Sequence, residues 1–327
     1  MTVEYTDCIT LSEETAELAE KELRENEATR RHGLQQVRDW IVKNPRIVHC
    51  RDDENFLLRF LRAKKFSAPM AEEALERYLL LRQSWAAAFN NMDCTLPNMK
   101  HLIDAGYLFA APGRDKYGRR WIIARPGVFD PHKFTNEDMC RIHGLVYETL
   151  LEDSESQVRG FVHFADGAGV SFPHITLFTP KEAVRIVKNG ERTLPMRHKQ
   201  VYGINVHPSL KYVLDFGLSL ISDKIRKRVK IYSSMEEASD EIDTNMLPKE
   251  YGGVIPMSEM IEKFKEELMA MRAKLLSHDE MKVRLEMFSE GARVGSVTAL
   301  KQGSALTCGG RTLDTTLCGS FRKLEVD

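Results

Sequence analysis

No stretch of this chain strings together the about 18 apolar residues that a bilayer-spanning helix requires. Its first residues include the acids Glu4 and Asp7 and no apolar segment of the kind that forms a secretory signal. Cysteine is sparse. Cys8, Cys50, Cys94, Cys140, Cys308 and Cys318 are scattered without C-x-x-C spacing, which points to reduced thiols of a cytoplasmic protein rather than to a disulfide framework or a zinc site. The formal net charge is only −1, which argues against a general nucleic-acid binder.

Catalytic signatures are equally thin. There is no G-x-x-x-x-G-K-[ST] loop and no H-E-x-x-H. Asp166-Gly167-Ala168-Gly169 starts like a dinucleotide loop, but Phe172 stands at the third glycine position, so it reads as a strand-to-loop turn. Gly217-Leu218-Ser219 lacks the closing glycine of a nucleophile elbow, since Ile221 is there instead. His49-Cys50 opens like a phosphatase loop, but the arginine such a loop needs is replaced by Phe56. The 10 histidines show no pairing at metal spacing. We therefore expect no catalytic residue, no metal and no cofactor.

What is present is ordinary globular composition, 43% hydrophobic and 29% charged over 327 residues, enough for two domains. The charge is unevenly spread. Residues 1–30 hold nine acids and three bases, whereas residues 185–230 hold eleven Lys/Arg against Glu191, Asp215 and Asp223. This implies a directed basic patch.

The first third reads as helical. Thr10 and Glu13 fit a capping box ahead of an acid-rich helix. Leu34, Val37, Trp40 and Ile41 form an apolar stripe ended by Asn44-Pro45. Asp52-Asp53 open a helix through residues 56–62, and Pro69 fits the first turn of a long one through Trp85. From about residue 96 the pattern changes. A turn at residues 115–118 leads to the strand Trp121-Ile122-Ile123-Ala124, followed by a helix over residues 136–152 and a strand over 158–165. A helix after Thr179-Pro180 and the strand Gln200-Val201-Tyr202-Gly203-Ile204-Asn205-Val206 complete an α/β alternation running to about residue 256. Ile261, Phe264, Leu268, Met271 and Leu275 then mark a helix that packs on the body. Residues 289–327 contain 15 Gly, Ser or Thr and read as a disordered tail.

One segment stands apart. His207-Pro208 stops the last strand, and Ser209 can cap a helix over residues 209–222. Leu210, Val213, Leu214, Gly217, Leu218 and Ile221 form one apolar stripe, and Tyr212, Phe216 and Leu220 a second. Together they cover roughly 240°, against the about 100° of a helix resting on a single core. The basic run Lys224-Ile225-Arg226-Lys227-Arg228-Val229-Lys230 follows directly. Two readings fit: a lid over an apolar space beside an anionic surface, or a core helix buried on both sides and followed by a solvated charge run. His163 likewise reads either as a satisfied core residue sharing a strand face with Phe161 and Ala165, or as a contact for the polar end of a buried ligand.

These pieces together carry a resemblance. Asp53-Glu54-Asn55-Phe56-Leu57-Leu58-Arg59-Phe60-Leu61-Arg62-Ala63-Lys64-Lys65-Phe66 closely resembles the N-terminal helical signature of the CRAL-TRIO family. Residues 115–131, with Gly118-Arg119-Arg120 and Arg125-Pro126-Gly127, resemble that family's first strand region. Asp166-Gly167-Ala168-Gly169, Ile204-Asn205 with Pro208, Lys224-Ile225 and residues 247–253 match its later landmarks in order. The resemblance spans about residues 20–275 and is nearest to the branch of cellular retinaldehyde-binding protein and α-tocopherol transfer protein.

It implies an α/β protein of the CRAL-TRIO fold: a helical N-terminal domain (1–95), a lipid-binding domain (96–256) whose mixed sheet floors an apolar cavity under a helical lid, a C-terminal helix (257–288) and the tail (289–327). The implied cavity positions are His143, Tyr147, Phe161, His163, Ala165, Phe178, Ile186, Met196 and Val201. On the lid they are Leu210, Val213, Leu214, Phe216 and Leu220, and a phosphoinositide cleft would use Arg197, Lys199, Lys224 and Arg228. The implied protein is a non-enzymatic monomer, cytoplasmic and peripherally membrane-associated, that carries a small hydrophobic ligand and releases it at phosphoinositide-containing membranes. His143 and Gly190 depart from the tocopherol carrier's pattern, which leaves retinoids, tocopherols, carotenoids, other terpenoids and phospholipids open as ligands. The alternatives are a phosphoinositide-sensing adaptor in membrane trafficking and a lipid-ester hydrolase, for which the sequence shows no activated nucleophile.

Overall fold

The computed structural model of the protein describes residues 11–177 and 179–293. The chain begins with helices α1 (Glu13–Leu23) and α2 (Glu27–Lys43), the short strand β1 (Ile47–His49), and helices α3 (Glu54–Ala63), α4 (Ala68–Ser84), α5 (Ala86–Phe89) and α6 (Pro97–Asp104). Strands β2 (Leu108–Arg114) and β3 (Arg120–Ala124) form a hairpin, followed by α7 (Asn136–Leu151), α8 (Ser154–Arg159) and β4 (Phe161–Asp166). Next come α9 (Phe172–Thr176), α10 (Pro180–Thr193), β5 (His198–Ile204), α11 (Lys211–Leu220), α12 (Asp223–Arg226) and β6 (Val229–Ile231). The described chain ends with α13 (Met235–Ala238), α14 (Met257–Ser277), β7 (Lys282–Val283) and α15 (Glu290–Arg293).

Local chemistry accounts for many of these boundaries. Asn26 and Asp53 accept the Thr29 and Phe56 amides at 2.9 and 3.1 Å, satisfying orphan donors at the starts of α2 and α3. Thr135 with Asp138, and Thr179 with Glu182, close capping boxes on α7 and α10. Two expected caps differ. Ser12, not Thr10, precedes α1, and its hydroxyl turns to Thr15 and Glu155 instead of to a helix amide; Thr10 lies outside the described residues. Ser209 does not cap α11, because a 3-10 turn over Pro208–Leu210 intervenes and its hydroxyl meets the His207 ring at 2.7 Å.

Two further expectations are corrected. The strand expected from Val158 begins only at Phe161, since Val158 is buried within α8 and Gly160, at φ 81°, makes the break. Sequence reading also missed β2. Its Leu-Phe-Ala-Ala-Pro-Gly-Arg has weak strand propensity, and the register shift falls between Ala110 and Arg114, where Pro112 sits.

The sheet order is β2-β3-β4-β5-β6, antiparallel between β2 and β3 and parallel thereafter. A large core joins the sheet to α7 and to the inner stripe of α14, including Ile261, Phe264 and Leu268. A second core gathers α2, α3 and α4, and Val283, Phe288 and Ala292 return from the far end of the chain to complete it. Order thus extends into the stretch expected to be a tail as far as Arg293, because Ala292 is buried; residues 294–327 lie outside the described residues.

Buried charge ties the helical part to the sheet part. Arg59, fully buried, meets Glu148 at 2.7 Å and Glu152 at 2.5 Å on and after α7. Arg62 takes Glu25 in a two-pronged pair at 2.8 and 2.7 Å and reaches Gln157 on α8 at 2.8 Å. Removing one partner of a buried pair leaves a charge stranded in low dielectric. Glu25→Ala should therefore lower unfolding free energy by about 3–5 kcal/mol, measured by urea denaturation; a loss under about 1 kcal/mol would mean that water reaches Arg62.

Candidate functional site

Strands β3, β4, β5 and β6 lie side by side in chain order, so each crossover steps the same way. Right-handed crossovers therefore put α7, α10 and α11 on one face of the sheet. That face carries Phe161, His163 and Ala165, and Tyr147 of α7 meets His163 edge-on at 6.0 Å. On the opposite face Val162 and Phe164 are fully buried, with Tyr251 packed on Phe164 at 5.1 Å, while Tyr202 is half-buried and Lys230 exposed towards the β6 edge.

The helix-covered face is not uniformly filled. In the row Ile122–His163–Val201–Val229, Ile122 is buried but His163, Val201 and Val229 are each half-buried, so accessible surface opens from β4 towards β6. Ala165 is also half-buried, as is Ile186 on α10. Protein surrounds His143, Tyr147 and His163 closely enough that burial pushes both histidines below their ordinary pKa and the tyrosine above its own. Yet each of these rings retains accessible surface. Phe161 and Met196 depart from the expected lining. Both are buried in the packed core, Phe161 completely, because β3 and α7 close over that end of the sheet. Phe178 lies outside the described residues.

Burial favours the neutral forms of His143, Tyr147 and His163. His143 donates from Nδ1 to the Met139 carbonyl at 2.8 Å, which leaves Nε2 as a bare acceptor. His163 Nε2 lies 2.8 Å from His198 Nδ1, one ring donating to the other. Among the described residues the Tyr147 hydroxyl has no hydrogen-bond partner, only ring contacts with His143 and His163.

Helix α11 packs against α10. Leu210, Leu214, Gly217, Leu218, Leu220 and Ile221 are half-buried, and nothing lies within 4 Å of where a side chain on Gly217 would begin. Val213 and Phe216, expected to face the interior, instead stand 41% and 42% exposed beside Tyr212 at 86%. The helix winds from the 3-10 turn with its 210/214/217/218/221 stripe inward, which turns Tyr212, Val213 and Phe216 to solvent.

The four expected cationic positions converge. Arg197 and Lys199 open β5, Lys224 sits on α12, and Arg228 immediately precedes β6. Partial desolvation of the otherwise exposed Lys224 lowers its pKa, and the neighbouring cations Arg228, Lys65 and Arg197 lower it further. Lys199 is lowered in the same way, by burial and then by Arg197, with Arg228 adding to it. Gly160 permits the crowding, since a Cβ there would meet the Arg197 carbonyl at 2.5 Å. Glu22 of α1 enters this cluster: its Oε2 accepts from Arg197 Nη2 at 2.5 Å and from Lys199 Nζ at 2.9 Å.

Residues 104–253 match the family model described as the CRAL/TRIO domain. Clavesin-1 of Xenopus laevis is 31% identical over 251 residues, which cover 76% of this chain and 76% of that protein. The chain belongs to the CRAL/TRIO family. Clavesin-2 of Homo sapiens is 30% identical over 255 residues, covering 76% of this chain and 77% of that protein. The crystal structure of Sfh5 superposes with a TM-score of 0.50 at 11% identity, covering 82% of this chain and all of that one, a likeness of fold alone. Membership of the CRAL/TRIO family makes this a lipid-binding chain. Among the described residues no helix is long and apolar enough to cross a membrane.

Glu22 and His198 are the site residues that sequence reasoning missed. The opposite charge of the first 30 residues and residues 185–230 was the available signal for Glu22. His198 carried none, because a register shift between Phe161 and Val162 is what brings its ring to His163.

The buried histidines also set a pH dependence. His163 and His278 are held well below the ordinary value of 6.5, in each case first by burial. The unfolded chain therefore takes up protons that the fold refuses, so stability is full above about pH 6.5 and falls as pH drops below it. The urea midpoint should decline between about pH 7 and about pH 5, and His163→Leu should flatten that decline; an unchanged slope would mean that His163 titrates normally.

Proposed function

We propose that this chain is a non-enzymatic carrier of one small hydrophobic ligand, of the retinoid, tocopherol, carotenoid or other terpenoid-like class. The ligand would lie between β4–β5 and helices α7, α10 and α11, touching His143, Tyr147, His163, Ala165, Ile186 and Val201. The observation that carries this reading is the row across the sheet in which Ile122 is buried while His163 and Val201, both on interior strands, keep accessible surface under the helices. Burying about 500 Å² of apolar ligand surface gains about 12 kcal/mol before ordering costs.

Release would occur at membranes. Opening α11 in water exposes about 300 Å² of apolar surface and costs about 7 kcal/mol, a cost that largely vanishes when that surface enters lipid. Tyr212, Val213 and Phe216 already face outward without cover, giving the bilayer an apolar patch to meet before the helix moves. Lys224, Lys227 and Arg228 follow directly, each contributing about 1 kcal/mol near an anionic leaflet. With Arg197 and Lys199 they form the site for phosphoinositide headgroups, and the protein works as a cytoplasmic, peripherally associated carrier. An adaptor that senses the same headgroups would use the cation cluster alone and leave the hollow as a regulatory site.

A Lys224→Ala, Arg228→Ala double variant should retain bound ligand but transfer it about 30-fold more slowly to phosphoinositide vesicles, the equivalent of about 2 kcal/mol. Undiminished transfer in a fluorescence-quenching assay would defeat the membrane step. Failure of native mass spectrometry to find any hydrophobic ligand in protein from its natural source would defeat the carrier.

A further inference from the structure

The basic cluster divides into two unequal halves. Among the described residues neither Lys224 nor Arg228 has an acidic partner: Arg228 donates to the His198 carbonyl, and Lys224 stands exposed. The Arg197–Lys199 half is occupied. A single carboxylate oxygen of Glu22 bridges both cations, as one oxygen of a phosphate would, and Arg197 also donates to the Val158 carbonyl.

We propose that Glu22 is the selectivity gate of this cleft, a tethered carboxylate that a second phosphate group must displace. The proposal rests on the reading of the cluster as a headgroup site. A headgroup with one phosphate is satisfied by Lys224 and Arg228 and gains little from the closed half. A headgroup with two or more phosphates carries enough charge to replace Glu22 on Arg197 and Lys199, so the protein favours multiply phosphorylated inositol lipids.

The competitor is built for displacement without unfolding. Glu22 keeps 36% of its side chain exposed, whereas Arg197 and Lys199 keep 14% and 22%, so the carboxylate can swing to solvent while the cations stay in place. Helix α1 itself is pinned at both ends. Its start is held by the Ser12 amide on Glu155 at 2.6 Å and by Arg159 on Thr15 at 2.8 Å, and just past its end lies the buried Glu25–Arg62 pair. A carboxylate held beside its cations acts at high effective concentration, so a weak intrinsic contact suffices to exclude a singly phosphorylated rival. Burial and the neighbouring arginine lower the Lys199 pKa, so an uncompensated pair of cations is unfavourable there, and either Glu22 or a phosphate must supply the charge.

The test uses the full chain in co-sedimentation with phosphatidylcholine vesicles carrying, at equal mole fraction, a phosphatidylinositol bisphosphate, a phosphatidylinositol monophosphate or phosphatidylserine. Soluble inositol phosphates form a parallel arm that separates headgroup recognition from the bilayer. Wild type should prefer bisphosphate over monophosphate vesicles by about ten-fold or more. Glu22→Gln, which keeps size and loses charge, should bring the two within about two-fold by strengthening monophosphate and phosphatidylserine binding. Glu22→Asp, too short to bridge both cations, should fall between. A bisphosphate preference unchanged in Glu22→Gln overturns the gate. Lys199→Gln separates this from the underlying reading: bisphosphate binding equal to wild type there means the cluster is no headgroup site, whereas loss of binding there with an unchanged Glu22→Gln ratio means that only the gate is wrong.

Discussion

Four strands laid in the sheet in the order the chain makes them, all parallel, constrain everything that connects them. Each right-handed crossover returns over the same face, so α7, α10 and α11 are stacked on one side, while Tyr251 packs on Phe164 on the other. A helix layer over a twisted sheet can fill the contact completely only where bulky side chains meet it. Next to Ile122 the fit is tight; along His163, Ala165 and Val201, small or polar residues face the helices and the contact loosens. The unevenness of this contact thus follows from topology and side-chain size together.

The helical N-terminal part then acts as a frame. Two of its buried arginines, Arg59 and Arg62, reach carboxylates and an amide on or beside α7 and α8 and on the α1–α2 link. Such pairs cost desolvation and add little net stability, but they tolerate few alternative arrangements. The consequence is positional. With Glu25 locked on Arg62, α1 is held in place, and Glu22, three residues earlier, is delivered to the cations Arg197 and Lys199 beside β5.

Opposite electrostatic and apolar surfaces therefore meet at one end of the molecule. The outward residues of α11, left uncovered, adjoin the cations that follow in sequence.

What depended only on nearby residues was legible in the sequence. Asp53 and Thr179 announce their helices because a cap hydrogen bond spans three residues, and the apolar stripe of α14 follows from helical period. The family was legible from short motifs kept in order. The tertiary structure alone decided which apolar residues of α11 face inward, since a helix greasy over most of its circumference offers no single preferred face and only the packing against α10 and the preceding 3-10 turn selects one. It also decided that an acid at position 22 lies on bases at 197 and 199, a pairing 175 and 177 residues apart in the chain. No local pattern encodes such a meeting, because it exists only once the sheet and the arginine clamps have brought the two segments together.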